Sequence, residues 1–297
     1  MSDVEGVTIG ALAPWFGGKQ NLAPRIAAEL GPHAAFWEIF CGSMAVTLAK
    51  QPVPMETVND LNGDLVNMAR CVQHEKHGPR LYRRLRRVLA SHVLLNEAAE
   101  RVKSFGRGPA GEAIDEDRAF DYFVTSWLGR NGVAGTHSFN QGFSRRFTKN
   151  GGHTAKRWQS AVESIPAWRR RMRNLTILSE CGISLCDRIE DADGVVIYAD
   201  PPYLVKGAKY VHDFEDSDHV RLAESLRRFK RTRVVVSYYE HPKIAELYPD
   251  WTIVDCPTTK SLVNQGMRDQ SAVAIAPEVL IINGPSLTES ALFGGAA

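Results

Sequence analysis

Val195-Val196-Ile197-Tyr198-Ala199-Asp200-Pro201-Pro202-Tyr203 decides how this chain folds. Residues 195–199 are apolar without alternation, the pattern of a strand buried on both faces of a parallel sheet. Asp-Pro-Pro then stops the strand, because proline has no N–H for a ladder and a Pro-Pro turn is stiff. Open α/β sheets bind their ligands just beyond the carboxyl ends of such strands. Strand termination alone would account for the prolines, and a turn cap for Asp200. The chemistry available to the four side chains asks for more.

The alternation of strand and helix extends outward from this point. Upstream, residues 34–40 (A-A-F-W-E-I-F) read as a buried strand entering the small-residue turn Cys41-Gly42-Ser43, with a helix from Met44 to Lys50. Met55 to Asn59 reads as the next strand, ending at Asp60, and the following helix begins at Asp64 and carries Val66, Ala69 and Val72. Leu175 to Leu178 and Arg233 to Tyr239 read as further strands, and His219 to Phe229 as an amphipathic helix. Trp251 to Cys256 and Ser271 to Ile282 read as an antiparallel pair closing the sheet edge. This order predicts a doubly wound α/β sheet.

Residues 74–173 interrupt it. Leu81, Leu85, Val88 and Leu95 have helical spacing, Gly106-Arg107-Gly108-Pro109 breaks the pattern, and Phe120, Phe123, Val124 and Trp127 mark another amphipathic helix. A glycine-rich basic stretch with Phe139, Phe143 and Phe147 follows and reads as a hairpin or long loop. The expected division is therefore a sheet domain from 1–73 and 174–297 with a mainly helical insert over 74–173.

The net charge of +2 conceals an uneven distribution. Between Trp127 and Arg173 there are ten Lys or Arg residues against the single acid Glu163. Aromatic and glycine residues interleave with them, a pattern that points to a polyanion. The run Arg80, Arg83, Arg84, Arg86 and Arg87 reads instead as a solvated helix face. Five cysteines without close C-x₂₋₄-C pairing argue for reduced thiols and against structural metal. No apolar run approaches the roughly 18 residues a membrane span requires. The acidic start (Met1-Ser2-Asp3-Val4-Glu5-Gly6) lacks a secretory signal core, so a cytoplasmic location is expected.

Asp200, Pro201, Pro202 and Tyr203 each have a use in methylating an aromatic amine. Such a nitrogen is a weak nucleophile because its lone pair is delocalised into the ring. A carboxylate and a rigid carbonyl, Asp200 and that of Pro201, aimed at its two N–H bonds would hold it closer to tetrahedral. Tyr203 can stack on an extruded base. Phe40-Cys41-Gly42-Ser43 offers a close backbone approach to a ligand at Gly42 but is not the G-x-G-x-x-G dinucleotide fingerprint. Asp60 stands where an acid binds ribose hydroxyls, or where it would serve equally as an N-terminal helix acid. Pro14-Trp15-Phe16-Gly17-Gly18-Lys19 is not a phosphate-binding loop, since Ala13 replaces its first glycine and Gln20 its Ser/Thr.

Trp15-x-Gly17-Gly18-Lys19, Phe40-x-Gly42, Asn59-Asp60-x-Asn62 and Asp200-Pro201-Pro202-Tyr203, in that order, resemble Dam-type (D12 class, alpha-order) DNA adenine-N6 methyltransferases. Glu278 to Asn283 looks like the family's final strand. The resemblance implies a Rossmann-like S-adenosylmethionine-dependent methyltransferase fold whose insert over 74–173 recognises the target. It implies that Trp15, Gly18, Lys19, Phe40, Gly42, Asp60, Asp187 and Asp200 bind S-adenosylmethionine. Asp200 would also hold the target amine, with Pro201, Pro202 and Tyr203 completing the catalytic set. Arg130, Asn131, Arg145, Arg146 and Lys149 would bind double-stranded DNA. Met44 departs from the pattern, which carries a small residue there, often glycine.

The expected activity is methyl transfer to N6 of a flipped adenine. The alternatives are an amino-methyltransferase acting on cytosine N4 or RNA adenine, and a catalytically inactive DNA-binding relative. Asp at position 200 favours adenine, since cytosine-N4 enzymes more often carry Ser there. Cytosine-C5 chemistry is excluded because Cys256 precedes Pro257 where that chemistry needs a Cys after Pro. A cognate restriction endonuclease is a compatible partner but is not required.

Overall fold

The computed structural model describes residues 10–15, 17–105, 108–129, 142–143, 153–204, 214–259 and 275–289. Arg130, Asn131, Arg145, Arg146 and Lys149 lie outside these residues, as does nearly all of the expected basic hairpin.

The sheet has seven strands in the order β3-β2-β1-β4-β5-β9-β6. β1 (Ala35–Glu38) pairs in parallel with β2 (Met55–Asn59) and β4 (Val195–Ala199), and β2 with β3 (Leu175–Leu178). β5 (Arg233–Tyr239) lies parallel to β4. β9 (Glu278–Ile282) runs antiparallel between β5 and β6 (Thr252–Asp255). The closing pair is thus antiparallel as expected, with β9 inside the sheet and β6 at its edge. Residues 271–282 do not form one strand. Within the described part, a two-residue β8 (Ile275–Ala276), paired with β7 (Thr258–Thr259), is separated from β9 by Pro277. Proline has no N–H to continue a ladder, and the Pro277 carbonyl is used by the Glu240 N–H at 2.7 Å.

β4 is buried on both faces, as its composition predicted. Val196 and Tyr198 pack with Leu22, Ile26 and Leu30 of the α1 side (α1, Ala23–Leu30). Ile197 and Ala199 pack against α8 (Gly182–Cys186), α9 (Asp216–Arg227) and α10 (Lys243–Leu247). Each fully buried aliphatic side chain contributes about 2 kcal/mol of transfer free energy. This is the Rossmann-like architecture anticipated from the sequence.

The helices of 74–173 share a core with the sheet. α3 (Gly63–Gln73) is capped by Asn62, whose side chain accepts from the Leu65 N–H at 3.0 Å. It packs on α4 (His77–Arg86), α6 (Glu116–Leu128) and α7 (Thr154–Met172), and α5 (His92–Ser104) packs on α6. Buried side chains of these helices join those of α2 (Ala45–Ala49), Val58, Leu175 and Ile177 in one cluster. The sequence reading assigns no element to the residues of α7. Its 19 residues bury Trp158, Ala161, Val162, Ile165, Trp168 and Met172 along one face, while basic residues occupy much of the rest.

The arginines divide between inner and outer tasks. On α4, Arg80 and Arg84 pair with Glu116 and Asp117 of α6, and Arg86 pairs with Glu163. Arg171 is buried against Glu56 at 2.6 Å and also donates to the Thr47 carbonyl. Arg157 donates to the Trp127 carbonyl. Part of the positive charge counted between 127 and 173 therefore braces the fold.

Candidate active site

The carboxyl ends of the parallel strands open on a cleft. Four of its lining loops carry the sequence motifs. Trp15, Gly17, Gly18 and Lys19 come from the segment before α1; Phe40, Cys41 and Gly42 follow β1; Asp60, Leu61 and Asn62 follow β2; Asp200 to Tyr203 follow β4. Pieces far apart in sequence meet because each ends a strand or precedes a helix at the same sheet edge.

Two loops are tied by one carboxylate. Asp60 accepts from the Gly42 N–H through Oδ2 and from the Asn62 N–H through Oδ1, both at 2.8 Å. Gly42 has φ +44, and a Cβ there would lie 2.9 Å from Trp15 Nε1. The glycine thus lets the indole close over the loop. Asn59, at the end of β2, donates to the carbonyls of Ile39 and Glu180 and accepts from the Glu180 N–H, each at 3.0 Å. It binds three strand ends together.

Trp15 is positioned from the helical region. Trp127 Nε1 donates to the Leu12 carbonyl at 3.3 Å and Trp168 Nε1 to the Gly10 carbonyl at 2.8 Å. The segment leading into the site is thereby pinned to α6 and α7. Met44, the residue where the resemblance has a small side chain, is fully buried with φ +58. A left-handed backbone explains why glycine suits this position, and burial of the thioether side chain offsets the strain here.

Asp200 is held on both oxygens. Ser237 Oγ donates to Oδ1 at 2.8 Å, and Lys19 Nζ pairs with Oδ2 at 2.9 Å. Ser237 Oγ also shares a hydrogen bond with the Tyr198 hydroxyl at 2.9 Å. Burial works against the Lys19 ammonium, but the Asp200 and Glu278 carboxylates outweigh it and raise the lysine above its ordinary pKa. The lysine is a fixed cation, not a base. Its Nζ also lies 4.9 Å from the centre of the Tyr203 ring.

Glu38, at the end of β1, lines the same cleft. Burial pushes its carboxyl up to about 8, even though it accepts from the Thr47 N–H and hydroxyl. It is therefore largely protonated at neutral pH.

Of the residues expected at the cofactor and the amine, Trp15, Gly18, Lys19, Phe40, Gly42, Asp60, Asp200, Pro201, Pro202 and Tyr203 all line this cleft. Asp187 does not. It follows α8 and accepts from Ser225 Oγ at 3.2 Å, facing α9. The acid from that side of the sheet is Glu180, which lines the cleft with Gly182 and Phe214. Glu38, Ser237 and Glu278 also went unread in the sequence. The signal was a polar residue placed at the end of, within or at the start of an apolar strand.

The family model for D12 class N6 adenine-specific DNA methyltransferases matches residues 15–262. The chain belongs to that family. It is a methyltransferase of adenine in DNA, and the matched span includes the four motif-bearing loops of the cleft. No curated protein matches the chain. A solved Clostridium thermocellum structure carrying a provisional rRNA-methylase designation is similar at 13% identity, with 54% of this methyltransferase and 79% of that chain covered and a TM-score of 0.25. Among the described residues, no helix is long and apolar enough to cross a membrane and no cluster of His, Cys, Asp and Glu is arranged to hold a metal.

Proposed function

We propose that this methyltransferase uses S-adenosylmethionine to methylate N6 of an adenine rotated out of double-stranded DNA. The observation that carries the reading is the convergence of the Asp200 carboxylate, fixed by Lys19 and Ser237, with the Trp15, Gly42 and Asp60 loops in one cleft. The cleft fits the donor on physical grounds. A Cβ at Gly42 would come within 2.9 Å of Trp15 and one at Gly182 within 2.7 Å of the Ile39 carbonyl and the Phe40 ring, so these glycines let Trp15 and Phe40 pack closely around the cleft. Trp15 and Phe40 supply flat apolar surface, Asp60 an acceptor for ribose hydroxyls, and Glu38 a neutral polar group.

S-adenosylmethionine would supply a methyl group on a sulfonium, leaving as a neutral thioether while the methylated amine gives up one proton to water. The protein's part is to hold the acceptor. Asp200 accepts from one N–H of the adenine amine and the Pro201 carbonyl from the other, drawing the nitrogen lone pair out of the ring. Tyr203 stacks on the base and compensates for its lost neighbours in the duplex. The Lys19 ammonium and the Ser237 hydroxyl hold the Asp200 carboxylate in place.

Residues 74–173 act as the target-recognition region in this reading, with residues 1–73 and 174–297 as the catalytic domain. Glu180, which lines the cleft, is better placed than Asp187 to serve as the acid on this side of the cofactor. Arg130, Asn131, Arg145, Arg146 and Lys149 contact the DNA. Radiolabelled methyl transfer from S-adenosylmethionine to duplexes with and without adenine tests the proposal. Label confined to adenine-containing duplex DNA is expected. Equal label on adenine-free DNA, preference for RNA, or DNA binding without label would each overturn it.

A further inference from the structure

β9, one strand in from the sheet edge, runs antiparallel to both of its neighbours, and its direction has a chemical consequence. Parallel strands present their last residues at the active edge, whereas β9 presents its first. Glu278, the first residue of β9, stands directly opposite Tyr239, the last residue of β5. Its side chain is 7% exposed and reaches under the catalytic loop. Glu278 Oε2 accepts from the Tyr203 hydroxyl at 3.2 Å and lies 3.7 Å from Lys19 Nζ. Tyr203 packs against Tyr239 with ring centres 4.4 Å apart.

These contacts form a closed set. Lys19 touches Asp200, Glu278 and the face of Tyr203; Glu278 touches Lys19 and the hydroxyl of Tyr203. A tyrosine ring held only by stacking can rotate and slide. One held at its hydroxyl by a carboxylate, itself anchored to a buried ammonium, is fixed in height and tilt. Burial raises the Glu278 carboxyl, and the neighbouring Lys19 ammonium opposes that shift.

We propose that Glu278 is a positioning residue for methyl transfer. It sets the Tyr203 ring at the angle needed to receive the extruded adenine, and it divides the Lys19 ammonium between itself and Asp200. The inference rests on the proposed role of Tyr203 as the stacking platform. It deepens that role by assigning the platform's support to a strand outside the catalytic loop.

The test is a double-mutant cycle of Glu278→Gln and Tyr203→Phe, reading single-turnover methyl transfer and S-adenosylmethionine dissociation constant separately. Each single variant is expected to slow transfer about tenfold, as befits loss of a hydrogen bond to a charged group. The dissociation constant for S-adenosylmethionine should stay within about threefold, because a positioning defect falls on the transition state. The double variant should be little slower than either single variant, since Glu278→Gln removes the charge and Tyr203→Phe the hydroxyl of the same contact. A double variant about a hundredfold slower would mean independent effects and would overturn the proposal. So would an unchanged rate in Glu278→Gln or, where that variant fails to fold, in Tyr203→Phe. Wild-type protein that transfers no methyl to adenine would instead sink the functional reading itself, which separates the two failures.

Discussion

Lys19 and Asp200 form a 2.9 Å ion pair at the carboxyl edge of the sheet, with the lysine side chain only 4% exposed. One residue precedes the first helix and the other follows the fourth strand, so the pair joins the segment before α1 to the loop after β4. The lysine is shared with Glu278, and that sharing determines what its loss would do.

Replacing Lys19 by Met leaves Asp200 and Glu278 facing each other without a cation. Removing one partner of a buried pair costs about 3 kcal/mol. Chemical denaturation of Lys19→Met should show a loss of that order, and adding Glu278→Gln should recover part of it. Unchanged stability in the single variant would show that the carboxylates are hydrated and that the pair is not structural.

Asp200→Ala should lower methyl transfer by a factor of about a hundred or more, because it removes the acceptor aimed at the reacting amine. DNA affinity, measured by fluorescence anisotropy, should remain close to wild type. Transfer at the wild-type rate would sink the role given to Asp200.

Gly42→Ala tests the close approach of Trp15. The added methyl must displace the indole and occupy a backbone conformation unfavourable to alanine, costing about 1 kcal/mol of stability. S-adenosylmethionine affinity should fall by more than stability does, since the indole and the loop are both part of the cradle. Calorimetric titration would detect an unchanged affinity, which would remove this loop from the cofactor site.

The Glu38 carboxyl, raised by burial to about 8 from 4.5, predicts a pH dependence of stability. Between those values the folded state binds more protons than the unfolded state, so stability falls as pH rises. The contribution is present in full below 4.5 and lost as pH passes through about 8. Glu38→Gln, which mimics the protonated form, should match wild-type Tm at the acid end of this window and exceed it at the alkaline end. A constant Tm difference would contradict the protonated state.

Arg145→Ala with Arg146→Ala should weaken DNA binding for all sequences alike. If both contact phosphates, the slope of log affinity against log salt should become shallower by about two units. An unchanged slope would place these arginines away from the backbone.

Much of the fold was legible because its signals are local. The unbroken apolar run 195–199 needed no partner to declare itself buried on both faces, and the structure covers it on both. α7 was not legible in the same way. Its basic residues and Pro166 dominate a local reading, whereas the apolar stripe from Trp158 to Met172 gains meaning only against α3, α4 and α6. The same limit applied to charge: Arg157 and Arg171 look like DNA ligands in sequence and serve as internal braces in the fold.

The motif residues of the cleft were legible because turn chemistry and side-chain type mark them where they stand. Trp15, Gly42, Asp60 and the tetrad Asp200-Pro201-Pro202-Tyr203 are of this kind. Sequence by itself thus determined the α/β class, the family resemblance and the principal lining of the site. Tertiary structure decided the rest: that Asp187 faces α9 while Glu180 lines the cleft, that Ser237 and Lys19 clamp Asp200, and that Glu278 reaches Tyr203. The physical reason is strand pairing. Which side chains meet at a sheet edge depends on the order, direction and register of strands, and Glu278 arrives there only because β9 runs against its neighbours.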